Sequence, residues 1–309
     1  TTVTVNTLPT APTITASGAT TFCTGGSVTL TSSTGTTYLW STGETTASIN
    51  VNTSGSYSVQ ITNAAGCLSA SSTPTNVTVN TPPAAPTVTP GGATAICAGG
   101  SITLASSAGT TYLWSNGATT ASIAVTTAGS YSVQVTNPAG CLSPASAATT
   151  VTVNPLPVAP SITASGATTF CAGDAVTLTA STGTSYLWSN GATTSSINVT
   201  TSGSYTVQIT DANGCQSPAS AATAVTVNPK PAAPTISADG PTTFCLGQTV
   251  TLTSTAGTSY LWSTGETTAS INVTSSGSYS VQITDANGCT SPASTPTTVT
   301  VNALPAAPT

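Results

Sequence analysis

The chain has 309 residues and carries one lysine, no arginine, no histidine and six acidic residues, which gives a formal net charge of −5. So few cations cannot neutralise phosphates, which excludes nucleic acid as a partner and argues against binding to an anionic membrane surface. No apolar run reaches the roughly 20 residues that span a bilayer, so membrane insertion is not expected.

The sequence repeats with a fixed period. The tryptophans at 40, 114, 188 and 262 are each 74 positions apart (114 − 40 = 74), and no insertion or deletion separates the copies. We therefore predict four repeats, at residues 8–81, 82–155, 156–229 and 230–303, called the first to the fourth repeat below. Residues 1–7 are predicted as the last strand of a preceding repeat and residues 304–309 as the start of a following one.

Short alternating segments follow one another through the first repeat. They lie at residues 12–17, 27–33, 36–41, 47–52, 56–63 and 76–80, and alternation of period two is typical of half-buried strands. No segment has helical periodicity. Strands at turn spacings of roughly 8 to 12 residues predict an all-β chain in which each repeat is a small immunoglobulin-like β-sandwich.

Proline-rich segments separate the repeats. They lie at residues 81–87, 154–161 and 228–235. Because proline favours extended and semi-rigid backbone, the sequence predicts a stiff rod of four beads.

Each repeat contains two cysteines 44 positions apart (67 − 23 = 44). The even count and regular spacing in a small domain favour one disulfide within each repeat. A zinc site is the weaker alternative, because the chain offers no histidine and no CxxC pair. The predicted bonds place the chain in an oxidising compartment and join Cys23 to Cys67, Cys97 to Cys141, Cys171 to Cys215, and Cys245 to Cys289.

The segment YLWS, first seen at residues 38 to 41, leaves two orientations open. If Leu39 faces inward, Tyr38 and Trp40 form an exposed platform on which a sugar can stack. We favour the opposite orientation, because the aromatic rings supply much of the apolar area that so small a core can bury. The predicted core aromatics are Trp40, Trp114, Trp188, Trp262, Tyr57, Tyr131, Tyr205 and Tyr279.

The approach Ser-Gly-Ser-Tyr suggests in addition that Tyr57 makes a tyrosine corner, in which its hydroxyl bonds to upstream backbone.

Few residues suit a catalytic or metal site. No acidic set recurs in all four repeats and no base is available to activate a serine, so we expect no enzyme, no catalytic residue and no cofactor. The turns from Asp211 to Asn213 and from Asp285 to Asn287 suit either calcium or ordinary turn formation, and we favour the turn. Thr-x-Thr runs allow an ice-binding face or plain β-propensity, of which we favour the second.

Residues 188–215, WSNGATTSSINVTTSGSYTVQITDANGC, resemble the SprB-type repeats and related immunoglobulin-like and polycystic-kidney-disease-like modules of giant surface adhesins of gliding Bacteroidetes. The resemblance implies a secreted, cell-surface adhesin or filament. We accordingly expect a structural and adhesive stalk, with neighbouring repeats, surface polysaccharide or other cells as partners, and possible lateral self-association. The alternative is a repeated glycan-binding module that uses exposed tyrosine and tryptophan.

Overall fold

The computed structural model describes residues 1 to 305, and within that range it contains strands and no helix. The chain divides into two compact units, the first from Thr1 to Asn154 and the second beginning at Pro155. Each unit contains two apolar clusters, and each cluster draws its residues from one sequence repeat.

The first repeat contains eight strands. Their bounds are β1 (Ile14–Ala16), β2 (Thr21–Cys23), β3 (Val28–Ser32), β4 (Thr37–Trp40), β5 (Ser48–Val51), β6 (Gly55–Tyr57), β7 (Val59–Thr62) and β8 (Thr75–Asn80).

The later repeats contain the same strands in the same order. In the second repeat they are β9 (Val88–Pro90), β10 (Ala95–Cys97), β11 (Ile102–Ser106), β12 (Thr111–Trp114), β13 (Ser122–Val125), β14 (Gly129–Tyr131), β15 (Val133–Thr136) and β16 (Thr149–Asn154). In the third they are β17 (Ile162–Ala164), β18 (Thr169–Cys171), β19 (Val176–Ala180), β20 (Ser185–Trp188), β21 (Ser196–Val199), β22 (Gly203–Tyr205), β23 (Val207–Thr210) and β24 (Thr223–Asn228). In the fourth they are β25 (Ile236–Ala238), β26 (Thr243–Cys245), β27 (Val250–Ser254), β28 (Ser259–Trp262), β29 (Ser270–Val273), β30 (Gly277–Tyr279), β31 (Val281–Thr284) and β32 (Thr297–Asn302).

The strands of the first repeat form three small sheets. One has the order β1-β3-β5, the second β2-β8-β6, and β4 pairs with β7 in the third. All of these pairings are antiparallel except that of β2 with β8, which is parallel. Only Ser58 separates β6 from β7, so one stretch of chain links the second sheet to the third.

Five of the six strand segments predicted for the first repeat are confirmed, with bounds that are one or two residues narrower at most ends. The predicted segment 56–63 is divided at Ser58 into two strands, β6 and β7, which pair in different sheets. The short strand β2, which ends at Cys23, was not predicted. Residues 1–7 form no strand in this structure. The predicted start of a further repeat at 304–309 falls largely on residues 306–309, which lie outside the described residues.

The YLWS segment has the tryptophan inside. The side chain of Trp40 is 2% exposed and that of Leu39 is 46% exposed, and the indole N–H donates a hydrogen bond of 2.8 Å to the carbonyl of Thr46. The other three tryptophans have the same environment: Trp114, Trp188 and Trp262 are buried and donate to Thr120, Thr194 and Thr268. The indole therefore fills the core without leaving its one polar group unpaired.

A glycine before YLWS is required by this packing. A Cβ added to Gly35 would lie 2.6 Å from the Cβ of Ile61, which is too close for two carbon atoms. The same closeness holds at Gly109, Gly183 and Gly257 in the later repeats. Glycine at these four positions thus lets the chain pass close over β7 and its equivalents.

Tyr57 makes the predicted tyrosine corner. Its hydroxyl donates to the backbone carbonyl of Thr53 at 3.0 Å, and the ring is 6% exposed. Tyr131, Tyr205 and Tyr279 are also buried and bond to the carbonyl four residues upstream. The ring thus packs in the core while its hydroxyl satisfies a loop carbonyl.

Candidate functional site at the junction between repeats

The direction of the strands places the first cysteine of each repeat at the pole where the chain leaves that repeat. We call this pole the outgoing end. The opposite pole, where the chain enters the repeat, is called the incoming end. In the first repeat β2 runs parallel to β8, and Cys23 lies beside Asn80, the last residue of β8. The backbone N–H of Thr24 then donates to the carbonyl of Asn80 at 2.9 Å. Cys23 therefore lies at the outgoing end.

The second cysteine of each repeat lies at the incoming end. Since β6 is antiparallel to β8 and β7 continues its course, β7 finishes at the incoming end. There the side chain of Asn63 accepts the N–H of Cys67 at 3.0 Å and donates to the carbonyl of Thr7 at 2.9 Å. The side chain of Asn63 thus stabilises the turn from Asn63 to Cys67 and links it to the N-terminal segment at Thr7.

A disulfide joins these two kinds of end across the boundary between the first and second repeats. Cys23 is bonded to Cys141, with a Cα–Cα distance of 5.6 Å. Beside the bond, Asn137 of the second repeat donates to the carbonyl of Thr81 at 2.9 Å. The Sγ of Cys141 lies 3.7 Å from the carbonyl oxygen of Asn80. The junction thus combines one covalent bond with polar contacts to the end of β8.

The second unit contains the same junction. Cys171 is bonded to Cys289, again with a Cα–Cα distance of 5.6 Å, and the Sγ of Cys289 lies 4.0 Å from the carbonyl oxygen of Asn228. At the position of Asn137 this repeat has Asp285, which accepts N–H groups from Asn287 and Cys289. A carboxylate has no N–H to donate, unlike the amide of Asn137. Asp285 therefore accepts hydrogen bonds within its turn but donates none to the preceding repeat.

The predicted pairing of cysteines within each repeat is wrong. Cys23 is bonded to Cys141 and not to Cys67, and the bond between Cys171 and Cys289 excludes pairing of Cys171 with Cys215. The predicted pairs Cys97 with Cys141 and Cys245 with Cys289 fail for the same reason. The cause is the direction of β2: a strand as long as β8 spans about 20 Å, whereas cystine Cα atoms lie within about 7 Å.

The remaining four cysteines fall into two classes. Cys97 and Cys215 are also disulfide-bonded. Cys67, which is partly exposed, and Cys245, which is exposed, are free thiols among the described residues. The two thiols therefore mark the incoming end of the first repeat and the outgoing end of the fourth.

The aromatic side chains of YLWS do not form an exposed platform for stacking a sugar. The indole faces of all four tryptophans are inside, and the phenol oxygen of Tyr38, which is partly buried, accepts the N–H of Gly35 at 3.1 Å. What the segment does expose is Leu39, beside a shallow groove of about 290 Å³ that also touches Gln60. This orientation contradicts the alternative hypothesis, in which exposed tryptophans bind glycan.

Three aspartate side chains, those of Asp211, Asp239 and Asp285, accept backbone N–H groups in turns and bends. Asp211 accepts N–H groups from Asn213 and Cys215, as turn formation requires. Hydrogen bonds from the hydroxyl and the backbone N–H of Thr251 hold the pKa of Asp239 below its ordinary value of 3.8. Within residues 1–305 no group of three or more His, Cys, Asp or Glu side chains is placed to hold a metal ion. The described residues also include no helix able to span a membrane.

Comparison with known proteins finds remote similarity to solved structures, among them two of bacterial ice-binding adhesins. No family model and no curated protein matches the chain. One solved structure, of a Ca²⁺-stabilised adhesin that helps an Antarctic bacterium bind ice, is 22% identical over 96% of this chain and 100% of that chain, with a TM-score of 0.45. Another, of a 1.5-MDa bacterial ice-binding adhesin, is 21% identical over 71% of this chain and 99% of that chain, with a TM-score of 0.33.

Proposed function

We propose that this chain is a spacer segment in the stalk of an extracellular bacterial surface adhesin or filament. In this proposal each of the four repeats is an immunoglobulin-like β-sandwich, proline-rich linkers join them, and disulfides staple neighbouring repeats together. The observation that carries the proposal is the bond from Cys23 to Cys141, which runs from the outgoing end of one repeat to the incoming end of the next.

A bond in this position suits a load-bearing spacer. Tension on a stalk acts through the chain that links successive repeats. Between Cys23 and Cys141 the disulfide supplies a second covalent path, so the 118 positions it spans cannot extend even if both repeats unfold. Closing a loop of this length contributes about 5 kcal/mol to folding stability in the loop-entropy model. The bond therefore limits both unfolding and lengthening under load.

The disulfides and the scarcity of protease sites are compatible with an extracellular setting. Six cysteines are in disulfides, and such bonds persist in oxidising compartments. The resemblance of residues 188–215 to repeats of bacterial surface adhesins supports the same setting. The only lysine, Lys230, precedes Pro231, so trypsin-like proteases find no good site in the chain.

Single-molecule pulling of the 309-residue chain tests the spacer role. The two bridges lock 2 × 118 = 236 positions. The oxidised chain should therefore extend about 800 Å less than the reduced chain, at about 3.4 Å per residue. Equal extension with and without reductant would contradict the proposal.

Two variants sharpen the pulling experiment. Cys23→Ser opens the first bridge, which spans 118 positions, and should lengthen the oxidised chain by up to about 400 Å at about 3.4 Å per residue. Cys67→Ser is the matched control, because Cys67 is a free thiol, and it should leave the extension unchanged. Lengthening on Cys67→Ser would instead indicate a bridge within the first repeat.

A further inference from the structure

Four turns of the chain contain an asparagine followed by a glycine. All four asparagines are exposed, and each glycine has a φ between +79° and +86° with no atom within 4 Å of the position of an added Cβ. Because glycine has no side chain, its backbone nitrogen can approach the side-chain carbonyl carbon of the asparagine before it. The four pairs are Asn116-Gly117, Asn190-Gly191, Asn213-Gly214 and Asn287-Gly288.

In the two turns that follow YLWS, the atoms that could react are restrained. The Oδ1 of Asn116 accepts the N–H of Ala118 at 3.2 Å, and the N–H of Gly117 donates to the carbonyl of Trp114 at 2.8 Å. The equivalent bonds of Asn190 and its glycine are 3.1 and 2.8 Å long. Both the side-chain carbon and the glycine nitrogen are therefore held in place.

In the two turns that lead to the second cysteine of the third and fourth repeats, the asparagine side chain is not held. Asn213 and Asn287, called the tip asparagines below, donate their backbone N–H to Asp211 and Asp285, and among the described residues their side chains make no hydrogen bond.

The glycine nitrogens beside the tip asparagines are also held less firmly. The N–H groups of Gly214 and Gly288 donate to the carbonyls of Asp211 and Asp285 at 3.1 and 3.2 Å, which is longer than the 2.8 Å in the turns after YLWS. A longer hydrogen bond is a weaker one. In these two turns the carbon is thus free to rotate towards a nitrogen that is only weakly bound.

We propose that the tip asparagines, Asn213 and Asn287, are sites of spontaneous deamidation, with water as the second reactant. The glycine nitrogen loses its proton and attacks the asparagine Cγ, so that a C–N bond forms and the side-chain amide leaves as ammonia. Water then opens the cyclic imide at either carbonyl and leaves aspartate or isoaspartate. Each site takes up one water and releases one ammonia, so the atoms balance.

Deamidation changes the turn that carries the second cysteine. Each conversion adds one negative charge, so both together take the formal net charge from −5 to −7 (−5 − 2 = −7). In isoaspartate the backbone runs through the former side chain, which lengthens the turn by one atom. The 2.9 Å bond from the N–H of Cys289 to the Asp285 carboxylate spans that atom, so we expect it to break. The modification goes beyond the proposed stalk role, because it loosens the turn beside the bond between Cys171 and Cys289 as the protein ages.

Ageing of the oxidised 309-residue chain tests the proposal. The chain is incubated in mildly alkaline buffer and digested with pepsin at acid pH, and mass spectrometry follows the gain of about 1 Da that marks each converted asparagine. The tip asparagines should convert about fivefold faster than Asn116 and Asn190, which is the effect expected of one restraining hydrogen bond. Equal or slower conversion of the tip asparagines would overturn the proposal.

The unfolded chain is the control for the effect of neighbouring residues. In guanidinium chloride with a reductant, all four asparagines should convert at rates within about twofold of one another, because the hydrogen bonds of the turns are gone. If the tip asparagines kept the same advantage in the unfolded chain, the fold would not be its cause and the proposal would be wrong.

A substitution that the chain itself offers confirms the assignment of the site. The first and second repeats have Ala65 and Ala139 where the later repeats have the tip asparagines. Asn287→Ala should therefore fold normally, abolish the mass gain of its own peptide and leave the rate at Asn213 unchanged. A mass gain that persists in the variant peptide would place the reaction at another residue. None of these results alters the pulling prediction, which concerns covalent bridges.

Discussion

Cys23 and Cys141 are covalently joined across a boundary between repeats, although 118 positions separate them in the chain. The bond connects the outgoing end of one repeat to the turn at the incoming end of the next. Two neighbouring repeats thus share one covalent loop, which agrees with their inclusion in a single compact unit from Thr1 to Asn154. Reduction is therefore expected to weaken the link between repeats more than the core of either.

The core position of Trp40 predicts a large effect of its removal. Trp40→Ala should destabilise the first repeat by about 3–5 kcal/mol, because it leaves a cavity and removes a buried ring. Leu39→Ala, at the exposed neighbouring position, should change stability by less than about 0.5 kcal/mol. Amide hydrogen exchange at Val59 measures the first repeat separately from the others. Similar losses for the two variants would contradict the inward orientation of the indole.

Two buried serines outside the strands, Ser69 and Ser72, accept backbone N–H groups of β7. The hydroxyl oxygen of Ser69, which is 4% exposed, accepts the N–H of Ile61 at 3.0 Å. Ser69→Ala leaves that buried donor unpaired and should cost about 1–3 kcal/mol. Ser71→Ala, at an exposed position two residues later, is the control and should be close to neutral. Denaturation midpoints compare the two, and an equal loss would show that the hydroxyl of Ser69 is not needed.

The lowered pKa of Asp239 predicts a pH dependence confined to acid conditions. Its folded-state pKa lies below 3.8 because the ionised carboxylate accepts hydrogen bonds from the hydroxyl and backbone N–H of Thr251. Because the pKa is lower in the folded state, these hydrogen bonds stabilise the fold at a pH above the unfolded-state pKa. Their contribution to the free energy of unfolding is lost as the pH falls through the folded-state pKa.

Asp239→Ser provides the matched comparison, because serine occupies this position in two other repeats, where Ser17 and Ser165 accept the equivalent N–H groups. The difference in stability between wild type and variant should shrink as the pH falls below 3.8. An NMR titration of the Asp239 carboxyl measures the pKa directly. A value at or above 3.8 would refute the proposed hydrogen bonding.

Local patterns in the sequence were sufficient for the strands and the aromatic core. Alternation around Val59 and Ile61 identifies β7, and the area that a buried indole contributes favours the inward orientation of Trp40. Both inferences depend only on the local sequence and not on the order of strands in a sheet. The roles of Ser69 and Gly35, in contrast, depend on which segments pack beside β7, and for this reason they were not predicted.

The cysteine pairing could not be predicted from spacing alone. Cys23 and Cys67 are only 44 positions apart, which suggests proximity. The parallel pairing of the three-residue strand β2 with β8 places them at opposite poles. So short a strand leaves almost no periodic signal in the sequence, and its direction is set by tertiary packing.

Mapping the disulfides of the oxidised chain shows whether neighbouring repeats are covalently bonded to each other. Pepsin digestion at acid pH suits the purpose, because protonated thiols do not exchange and each of the eight cysteines lies in a different local sequence. Mass spectrometry without reduction should find the peptide around Cys23 linked to that around Cys141, and the peptide around Cys171 linked to that around Cys289. Linkage of Cys23 to Cys67, or of Cys171 to Cys215, would show that the disulfides lie within repeats and not between them.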